Sequence, residues 1–471
     1  MIFKMDKSNL SLKYFSFDIF ASLIVWVLFV VFRKAINDIP VFENLSIVIP
    51  TFDYLTSILL FPFYCSFIHY LTGFYRNPTK NSRINVFTNT FVSALFISNS
   101  VFLGLMLPNG IVSYEYFYSS MLVLFGLLFG FTFFFRSLVF AQVRRYFAMK
   151  IWTVNTLVIG TNDLARKIAD DINEHAHYNT FTGFISTTKQ QVDSSEKVLG
   201  DMSQIANIIK KYNIQEAIVA LDEKADEKQL FNIINLLYQF DIDIQFTPRL
   251  YEILTGSAKI SHMGTIPLVS ITQISMSDWQ ACVKRFLDII VSILALLLSS
   301  PFLFYFMVRI KRDSKGPVFY RQERIGRFGR PFNILKFRTM QIDSEGKVPQ
   351  LSSEEDERIT EVGKMFRKYR IDEIPQFWNI LRGDMSLVGP RPERKFYINQ
   401  IIAEAPYYCL LYKIRPGLTS WGPIKIGYTD TIDKMIERLN YDIIYLENMS
   451  VFNDIKILIY TFETILRGKG I

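Results

Sequence analysis

The chain has 471 residues, of which half are hydrophobic and 15% are aromatic, and it carries a formal charge of +8 at pH 7. This length predicts about three domains, and the apolar composition is typical of a membrane protein rather than a soluble enzyme. The three cysteines are scattered and form no CxxC pair, which argues against a disulfide framework and against a zinc site.

The excess of basic residues is concentrated between Lys284 and Lys347, beside a hydrophobic segment. A basic zone in this position favours anionic headgroups or phosphates as partners. Nucleic acid is the competing interpretation. The chain has no recognition-helix, RNP or zinc-finger pattern, so nucleic acid is not an expected partner.

Four apolar runs fill the N-terminal part of the chain, and each is close to the ~20 residues that are needed to cross a bilayer. Basic residues lie before the first run, between the second and third, and after the fourth, whereas the loop Pro108–Glu115 has none. Positive charge stays on the cytoplasmic side, so both ends of the bundle are predicted to be cytoplasmic, with Arg33 and Lys34 as the exception. No charge within the runs indicates a transport relay, so a channel or pump is disfavoured. The runs are Tyr14–Phe32, Tyr54–Leu71, Phe87–Leu107 and Tyr116–Phe135.

From Asn155 to Ile266 strands alternate with helices, which predicts a compact α/β domain with a mostly parallel sheet. The turn after the first strand, GTNDLA, keeps only Gly160 of the GxGxxG fingerprint. A dinucleotide needs the later glycines for close backbone approach, so a scaffolding or assembly role is favoured over nucleotide binding. The predicted strands are Thr156–Gly160, Phe181–Ser186, Ala217–Ala220 and Ile242–Phe246, and the predicted helices are Leu164–Ile172, Met202–Tyr212 and Glu227–Phe240.

Two short patterns in this domain invite a metal. Asp241 and Asp243 form a DxD, which in many glycosyltransferases ligates a metal-bound nucleotide sugar, although the polar edge of a strand is the commoner explanation. His175 and His177 form an HxH with no further ligand nearby, which makes a metal there improbable.

A fifth apolar stretch, Phe286–Val308, is long enough to span, but basic residues flank both of its ends. The positive-inside rule therefore favours two cytoplasmic ends. Ser299, Ser300 and Pro301 interrupt the middle, where proline kinks a helix and serine hydroxyls can satisfy the freed carbonyls. These features predict a helix that enters one leaflet, breaks and returns; a plain fifth span is the alternative.

The strongest chemical signal is the adjacent pair Asp372 and Glu373, placed just before Pro375, where a helix is expected to begin. A glycine-bearing loop, Gly383 to Pro392, follows and carries Arg391 near its end. Carboxylates beside downstream cations suit a site for an anionic diphosphate, and a bridging divalent metal is implied because carboxylates alone would repel such a substrate.

The segment before this pair supplies further cations. Val318–Tyr320 and Phe332–Phe337 are predicted to form a strand pair, and the loop between them holds Arg321, Arg324, Arg327 and Arg330. Lys336 and Arg338 are two residues apart and are expected on one face, where they could clamp a diphosphate. A solvated basic face against anionic lipid is the alternative for the loop arginines. A helix is predicted at Arg358–Arg370, with Thr360 as its N-cap.

The chain resembles the bacterial sugar transferase family, the monotopic phosphoglycosyl transferases, in five motifs: KFRTM, DEIPQ, GDMSLVGPRPE, RPGLT and YDIIYLEN. The resemblance implies a four-span α-helical membrane bundle at 1–150 and a Rossmann-like, CoA-binding-like α/β domain at 151–270. It also implies a monotopic α/β catalytic domain at 271–471, with a re-entrant helix at 284–310 that breaks at Ser300 and Pro301. The N-terminal organisation resembles the undecaprenyl-phosphate galactose or glucose phosphotransferases.

The resemblance also implies a reaction, in which a UDP-sugar and undecaprenyl phosphate give undecaprenyl-diphosphate-sugar and UMP, at the start of exopolysaccharide, capsule or O-antigen synthesis. Asp372 would be the nucleophile that forms a covalent phosphosugar intermediate, and Glu373 would assist; both would hold Mg²⁺. UDP-galactose or UDP-glucose would be the donor, the catalytic domain would lie on the cytoplasmic side of the inner membrane, and a homodimer is plausible. Substrate and phosphate binding is assigned to Lys336, Arg338, Arg391, Arg415, Trp421 and Asp442.

The chain departs from the family after RPGLT, where many members continue GWAQVNGR and this chain reads SWGPIKIGY. Trp421 is retained, and nucleotide recognition is expected to use other groups, such as Lys425 or Tyr428. The C-terminal run Tyr441–Leu466 is amphipathic and is expected either on the membrane interface or against the catalytic core. Two rival functions stay open: a non-catalytic assembly scaffold, and a metal-dependent glycosyltransferase that uses Asp241 and Asp243 and releases UDP.

Overall fold

In the computed structural model, the chain forms two compact units. The first comprises Met1–Thr153 and Ser277–Val283, and the second comprises Val154–Met276 and Lys284–Ile471. The structure describes residues 7–37, 54–106, 114–175, 178–187, 197–221, 226–247, 260–262, 266–270, 276–341, 356–427 and 431–467.

The first unit is built from long apolar helices that pack on one another through aromatic and aliphatic side chains. Trp26 stacks on Phe61 with ring centroids 4.4 Å apart, and Cys65, Ile97 and Leu124 are fully buried beside them. The second apolar run begins and ends as predicted. The helices are α1 (Lys7–Asn37), α2 (Tyr54–Leu71), α3 (Arg83–Val101) and α4 (Tyr114–Ala148).

Four helical stretches in the described part of the chain are long and apolar enough to cross a membrane: Asn9–Phe32, Arg83–Gly104, Tyr118–Ala148 and Asp278–Asp313. The second predicted run appears as a shorter apolar helix, described from Ser57 to Leu71. The loop that carried no positive charge, Pro108–Glu115, lies largely outside the described residues.

The placement of Arg136 in the flank after the fourth apolar run is wrong. Helix α4 continues well past the predicted end at Phe135, so Arg136 lies within it, fully buried, and forms a two-oxygen contact with Asp18 of α1. The distances are 2.9 Å from Nε to Oδ1 and 2.7 Å from Nη2 to Oδ2. The sequence placed Arg136 in a flank because the apolar run ends one residue earlier.

The second unit begins with a seven-stranded sheet in the order β3-β2-β1-β4-β5-β7-β6. The first five strands are parallel, and β7 joins β5 and β6 antiparallel. The four predicted strands and the three helices between them are present, whereas β3, β6 and β7 were not predicted. The strands are β1 (Val154–Ile159), β2 (Asn179–Ser186), β3 (Val198–Asp201), β4 (Glu216–Val219), β5 (Asp243–Phe246), β6 (Ile260–His262) and β7 (Pro267–Ser270). The helices are α5 (Asp163–His175), α6 (Ile205–Lys211) and α7 (Glu227–Leu237).

The turn after β1 is closed by the protein's own groups. Gly160 has φ +127°, and a Cβ there would lie 2.3 Å from the carbonyl oxygen of Ala220. The Asn162 side-chain amide donates to that same carbonyl at 3.2 Å. These groups occupy the junction between β1 and β4, where the strand order reverses.

The structure describes the two predicted metal patterns, the DxD and the HxH, to different extents. Asp243 is the first residue of β5, and Asp241 is exposed just before it, as expected for the polar edge of a strand. His177 lies outside the described residues, as does the side chain of His175.

The next element is helix α8 (Asp278–Asp313). Its residues up to Val283 belong to the first unit, and the rest of the helix belongs to the second. An antiparallel hairpin of β8 (Phe319–Ile325) and β9 (Pro331–Phe337) follows. The first strand is longer than predicted, so Arg321 and Arg324 lie in it rather than in the loop.

Short helices and two parallel strands complete the unit, and the Pro406–Lys413 turn joins its core to that of the sheet. Tyr408, Cys409 and Tyr412 pack in one cluster with Ile233 and Leu237 of α7. The two predicted domains therefore share a hydrophobic core. The remaining elements are α9 (Glu361–Lys368), α10 (Gln376–Arg382), β10 (Ser386–Val388), α11 (Lys395–Glu404), β11 (Gly417–Thr419), α12 (Trp421–Ile426), α13 (Ile432–Glu447) and α14 (Val451–Leu466).

Candidate active site

The carboxylate pair lies in a short 3-10 turn, Ile371–Glu373, between α9 and α10. Thr360 caps α9 as expected, because its hydroxyl accepts from the Gly363 amide at 3.1 Å. The chain then reverses through Arg370, which has a left-handed φ of +54°. This reversal leaves Asp372 and Glu373 buried, with relative exposures of 7% and 9%.

The two carboxylates are unequally paired with cations. Lys336, on β9, donates to Glu373 Oε1 at 2.9 Å, and Arg370 donates to Glu373 Oε2 at 3.2 Å. Lys336 Nζ is 4.0 Å from Asp372 Oδ2, which is beyond hydrogen-bond distance. Both oxygens of Glu373 are thus engaged, while Asp372 has an oxygen that faces a cation without bonding it.

Because the two carboxylates are paired differently, their pKa values shift in opposite directions. Burial raises the pKa of Asp372 to about 6, against the lowering effect of Lys336 and with a further increase from the negative charge of Glu373. The pKa of Glu373 is lowered, because Lys336, Arg370 and Arg391 together outweigh its own burial. Two adjacent carboxylates with diverging pKa values are a common arrangement at catalytic sites.

Arg391 lies on the loop that follows β10. The close approach of β10 and β11 fixes the start of this loop, because a Cβ at Gly389 would lie 2.5 Å from the Arg415 carbonyl oxygen. A Cβ at Gly417 would lie 2.1 Å from the Gly389 nitrogen. The positive charge of Arg391 lowers the pKa of Glu373 and also that of Glu393, which places this side chain near both carboxylates.

A buried ion network supports the same loop. Glu393 accepts from Arg438 of α13, and its other oxygen accepts from Arg324 of β8 at 3.3 Å. Arg324 also donates to the Pro392 carbonyl at 3.1 Å. Arg438 and Arg324 lower the pKa of Glu393, which therefore stays ionised and holds the loop between two elements.

Asp442 also lies beside this loop. Burial raises its pKa to about 6, while the positive charge of Arg438 acts in the opposite direction. Among the described residues, Asp442 Oδ1 and Ser420 Oγ have no hydrogen-bond partner, although both are buried. Unpartnered buried polar atoms of this kind mark a place where a ligand can bind.

Three other predicted binding residues lie on separate elements of the second unit. Arg338 follows β9 and donates to the Ser314 carbonyl at 2.7 Å and the Lys315 carbonyl at 3.0 Å, at the end of α8. Arg338 thus bonds the end of α8 while Lys336 contacts Glu373, and the diphosphate clamp of these two residues stays a prediction. Arg415 follows the Pro406–Lys413 turn and is half-buried. Trp421 begins α12 and packs against α14, with its indole N–H donating to Asn453 at 3.2 Å.

Helix α8 is attached to the catalytic core near both of its ends. At the start, Lys284 donates to the Val388 carbonyl at 2.8 Å and to Asp454 at 2.6 Å, and Asp288 accepts from Ser386 and from the Leu387 amide. At the far end, Ile310 packs with Phe337, Val362 and Phe366.

The middle of α8 is exposed and apolar, with Leu297, Leu298 and Phe304 as its most exposed side chains. Pro301 lies within the helix, and the Ser300 hydroxyl donates to the Leu297 carbonyl at 2.8 Å. The prediction that a serine hydroxyl bonds a carbonyl near the proline is confirmed.

The carboxylates of Asp372 and Glu373 fit a magnesium ion that has few protein ligands. Among the residues that the structure describes, no group of three or more His, Cys, Asp or Glu side chains could hold a metal. Mg²⁺ commonly takes only one or two protein carboxylates and completes its octahedron with substrate phosphates and water. Asp372 is the better donor of the pair, since both Glu373 oxygens already accept from cations.

Sequence reasoning did not find Arg370, Glu393, Arg438 or Ser420. Arg370 lies two residues before Asp372 and Glu393 ends the GDMSLVGPRPE motif, so both were available as charges beside the proposed site. Arg438 lies four residues before Asp442, one turn away on the same helix, which was the available signal. Tyr428, which was considered for nucleotide recognition, lies outside the described residues.

Comparison with known proteins adds an independent observation. Residues 279–468 match the family model described as bacterial sugar transferase. The chain is 39% identical over 229 residues to a UDP-N-acetylgalactosamine-undecaprenyl-phosphate N-acetylgalactosaminephosphotransferase of Aeromonas hydrophila, covering 49% of this chain and 53% of that protein. It is 34% identical over 276 residues to a UDP-glucose:undecaprenyl-phosphate glucose-1-phosphate transferase of Klebsiella pneumoniae, covering 58% of each.

A shorter relative is covered more fully. The chain is 40% identical over 185 residues to a UDP-glucose:undecaprenyl-phosphate glucose-1-phosphate transferase of Caulobacter vibrioides, covering 39% of this chain and 69% of that protein. The chain spans a little over half the length of the Aeromonas and Klebsiella proteins.

Proposed function

Since the chain belongs to the bacterial sugar transferase family, we propose that it transfers a sugar 1-phosphate from a UDP-sugar to undecaprenyl phosphate and releases UMP. The named activities of the relatives support this reaction, and they differ among themselves in the sugar. The donor is thus a UDP-hexose or UDP-N-acetylhexosamine. The product starts the assembly of a surface polysaccharide, such as an exopolysaccharide, capsule or O-antigen.

The observation that carries the proposal is the unequal pairing of the two carboxylates. A nucleophile needs an available oxygen, and Asp372 has one, whereas both Glu373 oxygens accept from cations. Asp372 therefore attacks the phosphorus that bears the sugar, and the bond from that phosphorus to the UMP oxygen breaks. UMP leaves with the bond's electron pair, and the sugar phosphate stays on Asp372 as an acyl phosphate.

The second step returns the enzyme to its starting state. A phosphate oxygen of undecaprenyl phosphate attacks the same phosphorus, and the Asp372 carboxylate leaves with the electrons of the acyl-phosphate bond. Two displacements with a good leaving group at each step replace one difficult displacement between two anions. Lys336 and Arg370 hold Glu373 ionised and in place, and Lys336 also attracts the incoming phosphate.

Arg391 is assigned to the diphosphate, because its positive charge acts on Glu373 and a guanidinium suits a phosphate geometrically. Asp372 and Glu373 are the residues that would hold Mg²⁺, which offsets negative charge on the phosphates when it is bound. Asp442 and Trp421 are assigned to substrate binding. The structure favours a supporting role for Arg338 and leaves Arg415 as a prediction from the motif.

The membrane organisation follows from α8. Both of its ends contact the catalytic core, while its exposed apolar middle contains Pro301. These contacts support a re-entrant helix, with the break at Ser300 and Pro301 inside one leaflet. The basic residues at both ends favour a cytoplasmic catalytic part on the inner membrane, preceded by a membrane-spanning bundle and a Rossmann-like domain that assists assembly, as a homodimer for example.

The decisive experiment follows the nucleotide that is released. Detergent-purified protein is given Mg²⁺, undecaprenyl phosphate and a panel of UDP-sugars, beside Asp372→Asn and Glu373→Gln. We expect UMP, and the Asp372→Asn variant should lose at least about 1,000-fold in rate and form no phosphosugar adduct by intact-protein mass spectrometry. Release of UDP would instead support the glycosyltransferase that uses Asp241 and Asp243, and no release with any sugar would support the scaffold.

A further inference from the structure

Helix α14 divides its surface into three rows. Asp454, Ile457 and Thr461 face the catalytic core, where Asp454 accepts from Lys284 and Tyr445 and Thr461 contacts Thr419 at 2.7 Å. A second row is apolar and exposed along the whole helix, with exposures from 46% to 79%. This exposed row consists of Phe452, Ile455, Ile459, Phe462 and Leu466.

The third row lies between the other two, since each residue turns about 100° on a helix of 3.6 residues per turn. It consists of Asn453, Lys456 and Tyr460, and it contacts Trp421. The indole N–H donates to Asn453, and the ring lies 5.6 Å from that of Tyr460. Trp421 thus covers the flank of α14 and leaves the apolar row free.

Two ammonium groups lie near the indole ring of Trp421. Lys456 Nζ lies 5.9 Å from the centroid of the indole ring, and Lys425 Nζ, from α12, lies 5.8 Å from it. Both lysines are exposed. Each ammonium group contacts an aromatic face rather than a carboxylate, so the two charges remain able to bind an anion.

This cationic pair is close in the chain to the proposed active site. Trp421 follows Ser420, which is buried beside Asp442, and β11 just before it pairs with β10, which leads into the loop of Arg391. Trp421 is therefore connected through β11 and Ser420 to the elements that carry Arg391 and Asp442. The exposed apolar row lies next to the flank of α14 that Trp421 covers.

We propose that Lys425 and Lys456, placed around Trp421, receive the phosphate of the long-chain isoprenoid phosphate acceptor, while its hydrocarbon chain lies along the exposed row of α14. The inference rests on the proposed function, which supplies an acceptor with one phosphate and a long apolar chain. Two ammonium groups beside a continuous apolar row match that molecule, because the phosphate contacts the lysines and the hydrocarbon chain contacts the row. A nucleotide has no apolar chain and would leave the row uncovered, so Lys425 is assigned to the acceptor rather than to UDP.

The test separates the two half-reactions in Lys425→Gln, Lys456→Gln and the double variant, with Lys395→Gln as the matched control on an exposed helix position. The first half-reaction is UMP release and adduct formation without acceptor, and the second is transfer of the adduct to undecaprenyl phosphate. We expect the KM for undecaprenyl phosphate to rise about fivefold for each single variant and more than tenfold for the double variant. UMP release and the KM for the UDP-sugar should stay within about twofold of wild type.

Three outcomes would overturn the inference. These are an unchanged KM for undecaprenyl phosphate, a raised KM for the UDP-sugar, or a defect that occurs in phosphatidylglycerol vesicles and vanishes in neutral detergent. The last would assign the lysines to bulk anionic lipid.

Direct binding separates this inference from the proposed function. The affinity of wild type and double variant for undecaprenyl phosphate alone is measured by native mass spectrometry, without any UDP-sugar. Lysine-dependent binding in a protein that releases no UMP would uphold the acceptor site and reject the reaction. Equal binding by both proteins would reject the acceptor site, whatever the activity.

Discussion

Among the described residues, two buried clusters in which carboxylates meet basic side chains differ in how completely their charges are paired. In the helical bundle, Asp18 and Arg136 are both 0% exposed and meet through two oxygens. Tyr75 adds a hydrogen bond to Asp18 at 2.6 Å, Thr90 accepts from Arg136 at 3.0 Å, and the guanidinium lies 3.8 Å from the centroid of the Phe74 ring.

At the candidate active site the pairing is incomplete. Glu373 is bonded by two cations, but Asp372 stays 4.0 Å from Lys336 and is nevertheless buried. When every oxygen of a buried carboxylate is hydrogen-bonded, as in Asp18, a ligand would have to break existing bonds, so the pair serves to hold helices together. A buried carboxylate without such bonds, as in Asp372, carries an unfavourable free energy of burial, which a bound substrate and metal can reduce.

The largest expected effect lies in the bundle. Arg136→Met should lower the free energy of unfolding by about 3–5 kcal/mol, because Asp18 is left as an uncompensated buried charge. Thermal unfolding in detergent and the yield of monodisperse protein measure this. The double variant Asp18→Leu/Arg136→Met should recover much of the loss; if it is as unstable as the single variant, the pair is not the reason.

The equivalent change at the active site should act on the reaction instead. Lys336→Met should lower the rate of UMP release by about 100- to 1,000-fold, since it removes the cation that faces the attacking oxygen. The unfolding free energy should change by less than about 2 kcal/mol, because Arg370 still pairs with Glu373. Lys336→Arg serves as the control. A variant that unfolds before it loses activity would make Lys336 a structural residue like Arg136.

Asp372→Asn should stabilise the protein while abolishing transfer. The pKa of Asp372 is about 6 in the folded state and near 4 when unfolded, so between these values the folded state binds more protons and stability falls as pH rises. At pH 7 the variant should therefore gain up to about 3 kcal/mol, and the gain should vanish below pH 4. Unfolding midpoints across this range measure it; a destabilised variant at pH 7 contradicts the assignment.

The same pKa predicts the acid limb of the reaction. Attack requires the ionised carboxylate, so kcat/KM for the UDP-sugar should fall as pH drops through about 6 rather than through the ordinary range near 4. In Lys336→Arg, which retains the positive charge, the limb should move little. A limb near 4 in wild type would mean that Asp372 is compensated more fully than its 4.0 Å contact with Lys336 indicates.

The smallest effect is expected at Arg338. In the KFRTM motif Lys336 contacts the active-site carboxylate Glu373, whereas Arg338 bonds backbone carbonyls at the end of α8. Arg338→Met should lower the unfolding free energy by about 1–2 kcal/mol, through loss of the bonds to Ser314 and Lys315, and should leave the KM for the UDP-sugar within about threefold. Steady-state kinetics with varied UDP-sugar measures this. A tenfold rise in that KM would return Arg338 to the diphosphate.

Much of the local structure could be predicted because it depends on neighbours in the chain. The apolar helices, the alternation from β1 to β5, the cap at Thr360 and the helix after Pro375 each follow from residues within a few positions of one another. The family motifs also indicated Lys336, Asp372 and Glu373, which the structure brings into contact, and Arg391, whose charge acts on Glu373.

The tertiary structure alone decided how the charges pair. Asp18 and Arg136 are 118 positions apart, and Glu393 and Arg438 are 45 apart, so no local pattern could join them. The direction of Arg338 toward α8, and the position of Lys336 nearer Glu373 than Asp372, depend on how strands end and elements pack. Sequence determines which elements form because periodicity is local, whereas an ion pair requires two backbones to approach to within a few ångströms, which only the packed core specifies.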